Sequence, residues 1–178
     1  MKFIESKENS LIKKFRSLSV KKYREQFSLY KLEGEKVVLE SLKISGLVEN
    51  ILIDADYTSK YEDIMQRFSE KIIVLKHELF TNLSSTIEPQ HIMSICNMPK
   101  YTLDASSIKN LLVLDHLQDP GNLGTIIRSA VASGFLDIVL IDSVDPYNDK
   151  TIRSASGTIF YPRFYNMSDL EFVEFAKS

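Results

Sequence analysis

A single cysteine, Cys96, and only three histidines, His77, His91 and His116, occur in a chain of 178 residues. One cysteine excludes an internal disulfide framework. So few soft ligands, at spacings unlike those of metal sites, predict no structural zinc and no metal centre. No apolar run approaches the ~18 residues that a membrane span needs. The opening residues, Met1 to Ser10, are polar and lack the apolar centre of a secretory signal. Neither glycine-rich phosphate loop, GxGxxG or GxxxxGKS/T, is present, which argues against a nucleotide-binding Rossmann domain. What remains is an ordinary globular composition, 44% hydrophobic and 26% charged, and the expectation is a soluble cytoplasmic protein. The length allows one large domain or two small ones.

Acidic residues are scarce at one end. Lys2, Lys7, Lys13, Lys14, Arg16, Lys21, Lys22 and Arg24 face only Glu5 and Glu8 within the first 24 residues, a net +6. The whole chain carries −2, so the remainder carries −8. Such a split points to an anionic partner, often nucleic acid. The plainer alternative is a solvated helix face. If nucleic acid is the partner, Lys13, Lys14, Arg16, Lys21, Lys22 and Arg24 are the candidate phosphate contacts.

Helical and strand-like periods alternate along the chain. Ser6–Leu18 carries Leu11, Phe15 and Leu18 at helical spacing, with Asn9 or Ser10 as a cap. Strands are predicted at Phe27–Leu32, Leu47–Ile53, Lys71–Leu75 and Ile92–Cys96. Helices are predicted at Glu35–Ile44, Tyr57–Ser69 and His77–Leu83. Residues 97–107, with Pro99 and a polar cluster, read as a linker. Beyond it, Asn110–Leu114 and Leu136–Ile141 are near-continuous apolar runs, suited to a parallel sheet covered on both faces. The helical pattern of Asn122–Gly134 joins them as a crossover. A short helix at Asn148–Ser156, a strand at Ile159–Phe164 and a helix from Asp169 to Ala176 complete an α/β pattern.

The chemically informative stretch is DHLQDPGNLGTIIR, residues 115–128. It lies where an apolar strand ends and a helix begins, which is where open α/β sheets place ligands. Pro120 and Gly121 predict a tight turn, Asn122 a helix cap, and Gly124 a close approach by a backbone or a ligand. Unpaired amides there would draw a phosphate. Arg128 would hold a permanent charge one turn beyond Gly124. Taken alone, the pattern fits an ordinary strand–helix turn with a surface arginine equally well. Cys96, inside an apolar strand, reads as a buried small hydrophobe. The eight tyrosines are scattered and form no stacking platform.

LLVLDHLQDPGNLGTIIRSAVASGF, residues 111–135, resembles the first signature motif of the SpoU/TrmH-type RNA ribose 2′-O-methyltransferases of the SPOUT superfamily. Asp145–Pro146–Tyr147–Asn148 and residues 152–160 resemble their next stretch. LYKLEGEKVVLESL (29–42) and LSSTIEPQHIMSI (83–95) are similar to the RNA-binding domain that often precedes the catalytic one. The resemblance implies a small ribosomal-protein-like α/β RNA-binding domain over residues 1–99, a linker over 100–108, and the N-terminal part of a Rossmann-like parallel-sheet SPOUT domain over 109–178. It implies methyl transfer from S-adenosylmethionine to a ribose 2′-hydroxyl of rRNA or tRNA, by a homodimer. It assigns Asn122 and Arg128 to the catalytic site. Arg128 would contact the target ribose and its phosphate, or act as the base. A guanidinium rarely loses its proton, so the cationic role is the better one. Arg153 is a further candidate RNA contact.

The family's later motifs, a Gly-Glu-Gly-type loop and a Ser-Leu-Asn segment leading into the C-terminal knot, do not occur. They supply most of the cofactor site. The expectation is therefore an N-terminal part of a longer enzyme: cofactor site outside this chain, knot absent, fragment inactive alone. The alternative is a non-catalytic RNA-binding module.

Overall fold

The computed structural model describes residues 1–86 and 88–177; the Ser107 side chain, Ser178, and Ile87 within the 83–95 segment lie outside the described residues. It divides into two compact units, Met1–Met98 and Pro99–Ser178.

The first unit is built on a five-stranded mixed sheet. Its strands are β1 (Lys2–Ile4), β2 (Leu29–Glu33), β3 (Val48–Asp54), β4 (Ile72–Leu75) and β5 (Ile92–Asn97), in spatial order β1-β4-β3-β5-β2. β1, β4 and β3 run parallel, and β5 runs antiparallel to both β3 and β2. The helices are α1 (Ser10–Ser17), α2 (Lys21–Phe27), α3 (Glu35–Leu42), α4 (Glu62–Arg67) and α5 (His77–Leu83). Asn9 caps α1 by accepting from the Leu11 amide. The amphipathic stripe of α1 buries Ile12, Phe15 and Leu18 against Leu52, Ile73, Leu75, Phe80, Leu83, Met93 and Ile95. Each such buried side chain contributes about 1.5–3 kcal/mol. Leu11 lies at the margin of that core and Ile12 at its centre, so the stripe sits one residue further round than Leu11–Phe15–Leu18 suggests.

One local expectation for this unit needs correcting, and two elements have no counterpart among the predicted ones. Tyr57–Ser69 is a 3-10 segment, Ala55–Tyr61, followed by the short α4. Asp54 caps that segment through the Asp56 amide, so helical turns begin seven residues upstream of α4. β1 and α2 carry no clear apolar period; β1 has one buried residue, Ile4, and α2 buries only Arg24.

The second unit is a three-stranded parallel sheet, β6 (Leu111–Asp115), β7 (Asp137–Ile141) and β8 (Arg163–Met167), in that order. The helices are α6 (Pro120–Ala132), α7 (Asp149–Ala155) and α8 (Asp169–Lys177). Every residue of central β7 is buried, as its continuous apolar run requires. The edge strand β6 keeps Leu111 to Leu114 only half-buried. The third strand starts four residues later than Ile159, because Thr158–Phe160 forms a 3-10 turn. There Gly157 takes φ +86°, a left-handed backbone that favours glycine.

Among the described residues no helix is long and apolar enough to cross a membrane.

Candidate functional site

The loops that follow β6 and β7 meet at the C-terminal end of the second sheet. Leu117 N donates to Ser143 Oγ (3.0 Å), Gln118 Nε2 to the Asp142 carbonyl (2.8 Å), and Val144 N to the Leu117 carbonyl (2.8 Å). His116 and Asp142 both adopt positive φ, +51° and +38°. Two non-glycine residues in that region, at the ends of adjacent parallel strands, mark backbone strain where such sheets bind ligands. His116 Nδ1 bonds Asp115 Oδ1, and that bond holds the imidazole pKa above its ordinary value. The ring is exposed.

α6 starts from this loop with a different cap from the one Asn122 predicts. Asp119 is the N-cap: its Oδ1 accepts from Asn122 N at 2.7 Å, with Pro120 opening the first turn. Pro120 and Gly121 are thus helical, not a turn before the helix. The Asp119 carboxylate is held below the ordinary range, first by that amide and also by Lys150, whose Nζ lies 3.4 Å from Oδ2. A carboxylate at a helix N-terminus satisfies the free amide and repels a second anion. The predicted phosphate cradle is therefore filled by the protein itself. An Asp directly before Pro was the sequence signal for this cap.

Gly124 serves the backbone approach and not a ligand. A Cβ there would lie 2.4 Å from Ser154 Cβ, 2.7 Å from the Thr151 carbonyl oxygen and 2.8 Å from Ala155 N. α6 and α7 touch at this residue. Upstream of α7, Asp145 is buried and takes the Tyr147 amide at 2.8 Å, which seats the Tyr147 ring edge-on to Phe164.

With Leu123, Gly124, Ile127 and Ala130 buried, the other side of α6 presents Asn122, Thr125 and Arg128 to solvent. Asn122 and Arg128 lie about 9 Å apart along the axis. Among the described residues Arg128 has no ion-pair partner, so its guanidinium is available to an outside anion. Arg153 is exposed on α7.

In the first unit, Lys13, Arg16, Lys21 and Lys22 are exposed on α1 and α2. Lys13 reaches Glu8 (2.6 Å), Lys21 approaches Glu25 (3.8 Å), and half-buried Lys14 lies over the Phe27 ring. Arg24 departs from the predicted set. It is buried, and Nη1 donates to the Leu18 carbonyl at 2.7 Å, so it fastens α2 to the end of α1 and offers nothing to a phosphate. Cys96 is fully buried, as its apolar strand predicted, and burial pushes its thiol up to about 12.

The same unit gathers a cluster that spacing did not reveal. Asp54, at the end of β3, is fully buried. Its Oδ2 lies 2.8 Å from His77 Nδ1 and 2.9 Å from His91 Nδ1. The bond to Asp54 holds the His77 pKa above its ordinary value. These residues come from three separate elements, so no local motif could announce them.

Residues 9–94 match the MRM3-like substrate binding domain, and residues 109–177 match the SpoU rRNA Methylase family. The chain is 38% identical over 162 residues to the 23S rRNA (guanosine(2553)-2′-O)-methyltransferase RlmP of Bacillus subtilis, covering 90% of this chain and 63% of that one. It thus spans less than two thirds of that relative. Its fold is similar to the AdoMet-bound rRNA methyltransferase of Sinorhizobium meliloti, with a TM-score of 0.83 at 23% identity over 99% of this chain and 69% of that one. A solved RNA 2′-O ribose methyltransferase superposes with a TM-score of 0.75 at 26% identity, covering 98% of this chain and 69% of that one.

Proposed function

We propose, from the match of residues 109–177 to the SpoU rRNA Methylase family and of residues 9–94 to the MRM3-like substrate binding domain, that the whole protein transfers a methyl group to a ribose 2′-hydroxyl of rRNA. The observation that carries the reading is the DPGNLG-to-Arg128 stretch, folded as a capped helix that starts at the C-terminal end of a parallel sheet and carries an exposed guanidinium, unpaired among the described residues.

In this reading Arg128 clamps the phosphate beside the target ribose. A fixed cation there stabilises the negative charge that develops on the 2′-oxygen and eases its deprotonation. Asn122, on the exposed side of the same helix, contacts the ribose or its neighbour. Lys13, Lys14, Arg16, Lys21 and Lys22 grip the RNA backbone, and Arg153 adds a contact beside α7. The half-buried edge strand β6 supports a homodimer, since an unpaired edge favours a covering partner.

The methyl donor in the proposal is S-adenosylmethionine, the AdoMet held by the Sinorhizobium meliloti relative. The described strand-end loops do not fit it. They bond to one another, and Asp119 occupies the α6 terminus. Residues 1–178 carry the RNA-gripping and ribose-clamping parts of the reaction.

The test is a nucleoside map of rRNA from cells in which the gene is deleted. One 2′-O-methylated nucleotide disappears, the intact gene restores it, and the gene carrying Arg128→Ala does not. An unchanged map after deletion overturns the reading in favour of a non-catalytic RNA-binding module.

A further inference from the structure

We propose that Asp54, His77 and His91, joined by Asp56, form a binding site for a divalent transition-metal ion of the zinc class in the first unit. The proposal is independent of the methyltransferase reading and concerns residues to which that reading gives no role.

Each donor is aimed by its own element. Asp54 ends β3, and its Oδ1 is taken by the Asp56 amide at 3.1 Å, so Oδ2 alone faces the histidines. His77 opens α5. His91 directly precedes β5 with φ +59°, a conformation that costs a non-glycine residue energy unless its surroundings impose it. Those surroundings are visible. Its carbonyl accepts from Asp54 N at 3.2 Å, and the Tyr57 ring lies parallel on its imidazole, centroids 3.4 Å apart. Both Nδ1 atoms converge on one carboxylate oxygen. All three donor atoms lie within 4.8 Å of one another.

That geometry is close to a coordination shell. Ligands bonded at 2.0–2.1 Å to a tetrahedral zinc stand about 3.3 Å apart. The two N···O separations, 2.8 and 2.9 Å, need to open by about half an ångström to admit an ion. The fourth position has a resident candidate: an oxygen of exposed Asp56 lies 3.7 Å from His77 Nδ1. Two imidazoles and two carboxylates suit zinc or cobalt better than magnesium or calcium, which prefer all-oxygen shells. The buried Asp54 charge would be neutralised directly by the ion. Such an ion would staple the end of β3, the start of α5 and the entry to β5.

The experiment titrates the metal-stripped 178-residue chain with Co2+ and reads the visible absorption of tetrahedral cobalt. The expected result is one Co2+ per chain, displaced by Zn2+. Affinity falls more than tenfold in His77→Ala and in His91→Asn. The first is an exposed position; the second keeps a residue that tolerates left-handed backbone. Zn2+ raises the thermal midpoint of the parent and of His116→Ala, but not of His77→Ala. His116→Ala tests the other acidic–histidine group, Asp115, His116 and Asp169, which is exposed throughout. Absence of a cobalt band, unchanged affinity in folded His77→Ala and His91→Asn, or loss of binding in His116→Ala each overturns the proposal. The first outcome leaves a hydrogen-bonded His–Asp–His cluster.

Discussion

Arg163 holds Asp137 across adjacent parallel strands with two bonds, Nε to Oδ1 at 2.6 Å and Nη2 to Oδ2 at 2.7 Å. Tyr165, two residues along β8, donates its hydroxyl to the same Oδ1 at 2.8 Å. The guanidinium fork holds the Asp137 carboxyl below its ordinary range, and burial pushes the Tyr165 phenol up to about 12. A carboxyl whose folded pKa is depressed stabilises the fold above its unfolded value, about 3.9. That contribution is lost as pH falls through the lower folded value. Acid unfolding of the second unit should therefore steepen below about pH 4, and Arg163→Gln should flatten that part of the profile. Tyr165→Phe should cost about 1 kcal/mol. Circular dichroism across pH, and urea titrations at neutral pH, check both.

Gly124→Ala sets two effects against each other. Alanine in a helix interior gains about 1 kcal/mol over glycine. Its Cβ would meet Ser154 Cβ at 2.4 Å and two backbone atoms of α7 below 2.9 Å. Backbone cannot rotate away, and overpacking of this kind costs about 1–3 kcal/mol or more. The net expectation is a destabilised second unit, read as a lower urea midpoint. A variant as stable as the parent would mean that α6 and α7 sit further apart.

For the basic helices, replacing Lys13, Arg16 and Lys22 with Gln should weaken RNA binding and reduce its salt dependence. The slope of log affinity on log salt falls by about one for each phosphate left without its cation. Arg24→Ala should behave differently, leaving the slope unchanged and costing about 2 kcal/mol through the unmade bond at the Leu18 carbonyl. Filter binding at several salt concentrations, alongside thermal melts, separates the two.

Cys96 should resist thiol reagents in the folded chain, since a buried thiol pushed up to about 12 supplies almost no thiolate at neutral pH. Labelling should appear only on unfolding, with a rate that follows the denaturant.

Calorimetry of the 178-residue chain with S-adenosylmethionine should show no micromolar affinity. Measurable heat at that level would mean that the loops after β6 and β7 release one another to form a donor site.

What the sequence revealed tracks how local each cause is. β6, α6 and β7 follow from continuous apolar runs and one helical period, because β7 is covered on both faces. β1 escaped notice because three residues with one buried side chain make no period. α2 did so because its buried residue is an arginine. In the candidate site, Arg128 stood out through its motif, whereas the Asp119 cap was hidden behind the more familiar Asn122. The Asp54–His77–His91 cluster was beyond reach of spacing, since Asp54 is 23 and 37 residues from its partners. Only the register of β3, β4 and β5 brings them together.

The pairing order of the two sheets has a consequence for synthesis. Lys2 sits opposite Ile73 and Leu29 opposite Asn97, so both outer strands of the first sheet wait for partners made much later. In the second unit each strand meets the next one in sequence, β6 with β7 and then β7 with β8. Loop closure over long separations slows folding. A ribosome releasing this chain therefore extrudes a first unit that stays open until nearly all of it has emerged, and a second that assembles strand by strand.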